Sequence, residues 1–415
     1  SLALSDCHLE GAVSMGPEAG AVLEGCTIEA DQIGLSLRAT AQVEAKGCCF
    51  LGGKTAIDIS DEAEVELVDC VISGCEGAGI RAWDRSRLQL IRVRVTDSGE
   101  YGVLAKGTVS LHAEGSTFSR CGDGLRLLSG AAAALEGCLF SDNRFHGVAA
   151  LSGSVVTGRG NEFCGNGCDL LGNVAPGVRV PSREGSEVEV LYPSPAFPSL
   201  QEAIDALLPG GTLVLSGGLQ TAGVVVAKPI TVRASSDDGC VLIAPAVELP
   251  VISVVPGGEL YLEDVELRGG TFGPIAAGES SVQLIGVRVA GSKVGIELWD
   301  VAKLEMEGCT LAENGTGLEL RGDSQAIVSS CNVVENTNAG IYLWDRVSLY
   351  LSGSAVTGNR RGVICYVQGC GSAWAPGEFS GTVTGTENIV SDNSEVDLCP
   401  PYPGDPWPAG FLEGQ

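Results

Sequence analysis

The chain has 415 residues, of which 59 are glycine, 16 are cysteine and only 5% are aromatic. Lys and Arg number 25 against 52 Asp and Glu, a formal net charge of −27, which excludes a basic nucleic-acid-binding surface and disfavours docking on an anionic membrane. An apolar fraction of 44% is enough for a large core. No apolar run approaches the ~18 residues of a membrane span, so membrane insertion is not expected. The glycines do not fall at every third position, which rules out collagen.

Taken in chain order, residues 1–20 already read as one unit of a repeat. Gly followed by an aliphatic then recurs at Gly79-Ile80, Gly102-Val103, Gly124-Leu125 and Gly147-Val148, in steps of 23, 22 and 23 residues. It returns at Gly295-Ile296, Gly317-Leu318, Gly340-Ile341 and Gly362-Val363, in steps of 22, 23 and 22. A second column runs Cys7, Cys26, Cys48, Cys70, Val93, Ser116, Cys138, Asn161, and later Val265, Val287, Cys309, Cys331, Ser354. A third, five residues on, runs Cys75, Ser98, Cys121, Asn143, Asn166, then Ser292, Asn314, Asn336, Asn359. Between these landmarks apolar side chains alternate, as at Leu304-Glu305-Met306 and Leu318-Glu319-Leu320, which is strand periodicity. Gly, Asn, Asp and Ser fill the gaps as turn residues. The repeat glycine is expected where the chain must turn before the next strand.

Two repeat architectures use this period. Leu304–Leu311 fits half of a leucine-rich repeat, but the other half of such a repeat is helical or 3₁₀, and here Gly315–Ser324 alternates. A right-handed parallel β-helix fits better, with one coil per 22–23 residues and coils stacked about 4.8 Å apart. Equivalent residues then form ladders, with Cys, Val, Ser and Asn stacking along the solenoid. These ladders resemble those of the pectin-lyase-like β-helix superfamily, in particular its carbohydrate-binding and sugar-hydrolase repeat group. The resemblance covers almost the whole chain. It implies the fold and a glycan ligand, and leaves activity open.

The two halves align at an offset of 216: Gly79-Ile-Arg-Ala-Trp83-Asp84 matches Gly295-Ile-Glu-Leu-Trp299-Asp300. The expected fold is therefore all-β, two tandem right-handed parallel β-helix solenoid domains over residues 1–186 and 187–399. A short capping helix over 199–208 precedes the second. Ser199 with Glu202 forms a capping box, and Leu200, Ala203, Ile204, Leu207 and Leu208 form one apolar stripe that Pro209-Gly210-Gly211 ends. In the superfamily such a helix closes the open end of the solenoid. The first domain lacks this cap, so the chain is expected to be N-terminally truncated, part of a larger multidomain protein. Residues 368–382 are an insertion absent from the first half, and 400–415 a Pro-rich tail that either covers the last coil or acts as a linker.

Four residues after the repeat glycine stand Trp83, Lys106, Leu128 and Leu151 in the first half and Trp299, Arg321, Trp344 and Tyr366 in the second. Strand alternation turns this column outward, making it a candidate platform for sugar rings or, alternatively, a set of side chains packed on neighbouring turns. Beside it stand Glu297, Glu319 and Tyr342, with Asp300 and Asp345 following the tryptophans. Glu297 and Glu319 stack on successive coils, the arrangement that raises one pKa and supports a general acid. The competing reading, which the overall acidity favours, is a solvated acidic face. No metal spacing is present and no cofactor is expected; calcium held by these carboxylates is a further option.

His8, His112 and His146 fall in different columns. The superfamily's lyases carry Arg-rich and Asp-His motifs and its galacturonidases an Asn-Thr-Asp, Asp-Asp and Gly-His-Gly set; neither occurs here. Arg321-Gly322-Asp323 is read as a chance adhesion tripeptide, and the sequon at Asn314 as interior and unmodified. The stacked cysteines are expected to be mostly free thiols, because stacked side chains run parallel.

The expected function is a non-catalytic extracellular or cell-surface module that binds polysaccharide on the outward aromatic and acidic face of the second domain. The alternatives are a polysaccharide lyase, hydrolase or epimerase using Glu297 and Glu319, and a structural spacer.

Overall fold

The computed structural model describes residues 2–181, 183–235, 239–365, 379–399 and 407–413. They form an all-β, right-handed parallel β-solenoid of about 16 turns with one short α-helix. The chain divides into two compact units, Ser1–Val180 and Pro181–Gln415. The first unit holds three parallel sheets of eight strands each; the second holds sheets of nine, eight and eight. Each coil adds one strand to every sheet, as Arg87–Ile91, Arg94–Thr96 and Tyr101–Gly107 do in turn. Pairing joins equivalent residues of successive coils, for example Glu66 to Gln89 to His112 on an outer face.

Two sharp turns of each coil are built the same way. The residue just before each buried ladder position adopts a left-handed backbone: Gly47 (φ 61), Asp69 (φ 55), Arg92 (φ 53) and Gly115 (φ 55) precede Cys48, Cys70, Val93 and Ser116. At the other turn Gly74 (φ 74), Asp97 (φ 58) and Arg120 (φ 51) precede Cys75, Ser98 and Cys121. Gly and Asp tolerate this conformation, which explains their enrichment there. The repeat glycine has a different reason from the one expected. Gly79 lies within the strand Ala78–Asp84, and a Cβ there would meet Val95 Cγ1 at 2.7 Å and the Gly102 carbonyl oxygen at 2.8 Å. Gly340 would likewise meet Val356 Cγ1 at 2.6 Å. The column is glycine because the backbone carbonyl of the next coil, joined at some positions by a valine of the second sheet, leaves no room for a side chain at that corner.

The ladders fill the interior. Phe118, Phe140 and Phe163 stack at 4.9 and 5.0 Å between ring centroids. Cys48 and Cys70 donate their thiols to backbone carbonyls of Leu23 and Ala45, each at 3.4 Å. Among the described residues fourteen cysteines are free, and Cys399 is disulfide-bonded. Asn336 is 1% exposed; its Nδ2 donates to the Leu311 carbonyl at 3.2 Å and to Asn359 Oδ1 at 2.8 Å, and its Oδ1 accepts from the Asn314 N–H at 3.0 Å. This buries the Asn314 sequon within the ladder.

The helix spans Leu200–Ala206, with Ser199 Oγ accepting from the Glu202 N–H at 3.2 Å. It ends earlier than the glycines suggest, because Leu207 is extended (φ −70, ψ 143) and opens the strand Leu207–Leu215. Leu208, counted in the apolar stripe, is therefore exposed, while Leu200, Ala203 and Ile204 are buried. The Gln201 side chain pairs with the open strand Val224–Val226: its Oε1 accepts from the Val225 N–H at 2.7 Å and its Nε2 donates to the Val225 carbonyl at 3.1 Å. A side-chain amide thus replaces the missing neighbouring strand at that edge. At the other end of this unit Phe411 enters the core, with Trp407 at 5.1 Å, and Asn388 Nδ2 donates to the Phe411 carbonyl at 2.9 Å. No described helix is long and apolar enough to cross a membrane.

Replacing Asn336 by Ala would take the side-chain partner from the Asn314 N–H and the Leu311 carbonyl, while Asn359 Oδ1 keeps the backbone N–H of residue 336. The expected cost is about 2–4 kcal/mol in urea unfolding; a change under ~0.5 kcal/mol would show that the Asn ladder is not what holds these turns.

Candidate functional site

The candidate residues lie on the third sheet of the second unit, on the strands Val294–Leu298, Thr316–Leu320 and Ala339–Leu343. Parallel register places Glu297 beside Glu319 and Glu319 beside Tyr342 on the outward side. Trp299, Arg321 and Trp344 follow two residues later, at the strand ends. Leu298, Leu320 and Leu343 point inward and are fully buried, which fixes the register of this outward row.

The solvated acidic face does not form. Glu297 is 4% exposed and Glu319 6%. Nor do the tryptophans leave a bare platform. Arg321 lies between them, its guanidinium carbon 4.8 Å from the Trp299 ring centroid and 4.4 Å from that of Trp344. From there its Nε reaches Glu297 Oε1 at 3.2 Å, and its Nη2 pairs with Glu319 Oε1. One cation therefore serves two buried carboxylates and two indole faces. Tyr342 packs against Trp344 at 4.8 Å.

Burial, and after it the nearby Glu319 charge, push the Glu297 pKa up to about 8; Arg321 pulls the other way. At neutral pH Glu297 is a protonated acid beside Glu319. The Trp299 indole also draws this pKa down, yet Glu297 Oε2 and Trp299 Nε1 both lack a formed hydrogen bond.

Asp300 and Asp345 serve the turns. Both adopt left-handed backbone, φ 59 and φ 53, and Asp345 Oδ2 accepts from the Gly322 N–H at 2.9 Å. Asp323 forms a two-pronged pair with Arg346, both arms 2.6 Å. The Arg-Gly-Asp tripeptide is thus engaged at both charged residues. Tyr366 and residues 368–378 of the insertion lie outside the described residues. Among the described residues no group of three or more His, Cys, Asp or Glu side chains is placed to hold a metal ion.

The first unit carries a simpler version. Asp58 accepts from Arg81 Nε at 3.1 Å and from Trp83 Nε1 at 3.2 Å, one carboxylate for one cation and one indole. It also carries a cluster that the column pattern above does not single out. Asp123 Oδ1 meets His146 Nδ1 at 2.8 Å and Asp123 Oδ2 meets Arg126 Nε at 2.5 Å, with Arg126 over the Tyr101 ring at 5.6 Å. Burial alone would raise the Asp123 pKa, but the His146 bond and the nearby charges hold it below the usual carboxylate range. Asp123 and His146 each stand immediately before a repeat glycine, so that column is the signal that places them together.

A family model for the right-handed β-helix region matches residues 11–166 and 251–379. The chain belongs to this family of right-handed parallel β-helices. Among solved structures it is similar to pectate lyase Pel9A at 17% identity, covering 55% of this chain and 64% of the lyase, with a TM-score of 0.37. It is also similar to the periplasmic alginate epimerase AlgG at 10% identity, covering 91% and 78% of the two chains, with a TM-score of 0.26. A mutant of the PL6 family alginate lyase AlyGC matches at 10% identity over 96% of each chain, with a TM-score of 0.26. The chain thus spans just under two thirds of the pectate lyase. No curated protein matches it.

Because the folded-state pKa of Glu297, about 8, lies above the ordinary carboxylate value of ~4.3, the folded state holds this proton more tightly than the unfolded chain does. Its contribution to stability is complete below about pH 4 and is lost as pH rises toward about 8. Glu297→Gln should flatten that decline, by a few kcal/mol between about pH 5 and pH 8 in urea unfolding; an unchanged pH profile would contradict the raised pKa.

Proposed function

We propose that this protein is a non-catalytic module, a tandem pair of β-helices within a larger extracellular or cell-surface chain, and that it binds polysaccharide along the Trp299–Arg321–Trp344 ladder. The supporting observation is the state of the two carboxylates. Both are buried and tied to Arg321, so neither is free to reach a glycosidic oxygen or a ring proton. Half-buried aromatic groups around them, Trp299, Tyr342 and Trp344, are of the kind that holds a sugar by stacking and hydrogen bonding. The reading requires no cofactor. The ladder supports it, not the enzymes named above.

Catalysis is the second reading, favoured by one observation: Glu297 is a protonated acid one strand from Glu319, the pairing that glycoside cleavage uses. A glycan-array screen followed by calorimetry tests the first reading. Trp299→Ala with Trp344→Ala should weaken the best glycan at least about tenfold, roughly 1.4 kcal/mol. Unchanged binding would sink it, and release of shorter or unsaturated products would replace it with the second.

A further inference from the structure

We infer that Trp299, Trp344, Glu297 and Glu319 form a cation cage whose built-in occupant is Arg321, and that the external ligand is a glycan carrying protonated amines, as a polymer of glucosamine does. This rests on the polysaccharide-binding reading and names the ligand class within it.

Two aromatic faces at 4.8 and 4.4 Å from one cationic carbon make a cation–π enclosure. The floor of the enclosure holds two carboxyl groups against one guanidinium, so a cation that draws the proton off Glu297 is met by a second negative charge. Glu297 Oε2 is also buried without a formed hydrogen bond, and on losing its proton it becomes an acceptor for a further donor. Neutral sugars need none of this charge, and uronates would be repelled by it. A polymer of ammonium groups is instead attracted, both by the cage and by the net charge of −27.

The occupant is removable. The Arg321 side chain is 27% exposed, and its backbone is held separately, by its N–H on the Leu298 carbonyl at 2.9 Å. The side chain can swing out without opening the coil, and an ammonium then takes its place between the indoles. The repeat does not impose the cage. At the equivalent place in the first unit, Asp58 and Arg81 balance one to one beside a single Trp83, with no second indole in the column.

The test uses the full chain, wild type and Arg321→Ala, titrated by calorimetry and tryptophan fluorescence with a glucosamine hexamer, its N-acetylated neutral counterpart and a lysine hexamer. Wild type should prefer the glucosamine hexamer to the acetylated one. R321A should bind the glucosamine hexamer at least about tenfold more tightly than wild type, with a change in indole emission, because the built-in competitor is gone. If R321A does not fold, Arg321→Met fills the volume without the charge. Its melting temperature should then rise with the glucosamine hexamer and not with the acetylated one.

Equal affinity of wild type and variant for the glucosamine hexamer would overturn the inference. So would equal or better binding of the acetylated hexamer by wild type, which would leave the polysaccharide reading standing. Binding of the lysine hexamer alone would assign the cage to a peptide and overturn the inference. Failure of every glycan on the array would sink both readings together.

Discussion

Parallel pairing of each coil with the next is the constraint on which this structure depends. A strand of one coil finds its backbone partners only in the same place on the coil before and the coil after. Residue 66 must lie beside residue 89, and 89 beside 112. Once that register is set, every choice of side chain is repeated against itself at about 4.8 Å. Apolar rows become stacks such as Phe118–Phe140–Phe163, and amide rows become the hydrogen-bonded Asn ladder. The left-handed turn residues and the corner glycines keep each coil short enough for that register to persist.

The same constraint makes charge a problem. Stacking Glu297 on Glu319 sets two like charges a strand apart, where both side chains are buried. The structure answers in two ways, keeping a proton on Glu297 and folding Arg321 back over both carboxylates. The flanking indoles make that inward position favourable for the guanidinium. Elsewhere the same logic works at the surface, where Arg92 on Asp69 and Arg120 on Asp97 pair across one coil step and stay exposed. The difference lies in burial, which turns an ordinary ladder pair into a strongly coupled site.

Much of the fold is legible because a period of 22–23 residues is a direct trace of the coil. The strands, the interior Cys and Asn columns, the capping helix and its Ser199 cap all follow from local pattern. The helix end does not. Pro209-Gly210-Gly211 is a good stop signal, but the chain leaves the helix at Leu207, because from there it pairs with the preceding strand, Leu207 beside Glu187, and from Gly211 on with the next coil. The glycine column is visible as a period, but its reason is not, since the crowding comes from the carbonyl of the next coil and, at Gly79, also from Val95 on another sheet. The Asp123–His146 pair is within reach of the repeat too. Comparing the three histidines with one another hides it, because the partner of His146 is an acid one coil away in its own column.

By itself the sequence determined which residues are neighbours: a strict repeat on a parallel solenoid converts sequence spacing into spatial adjacency, so Glu297, Glu319, Trp299, Arg321 and Trp344 group together from their spacing alone. Only the tertiary structure decided what the group is. Whether a row of carboxylates meets water or protein depends on which side chains fold over it. Whether two tryptophans face a ligand or an arginine depends on one side-chain rotamer, and neither is written in the period of the repeat. Burial and the placement of a single guanidinium turned an expected open acidic platform into an occupied, partly neutralised cage.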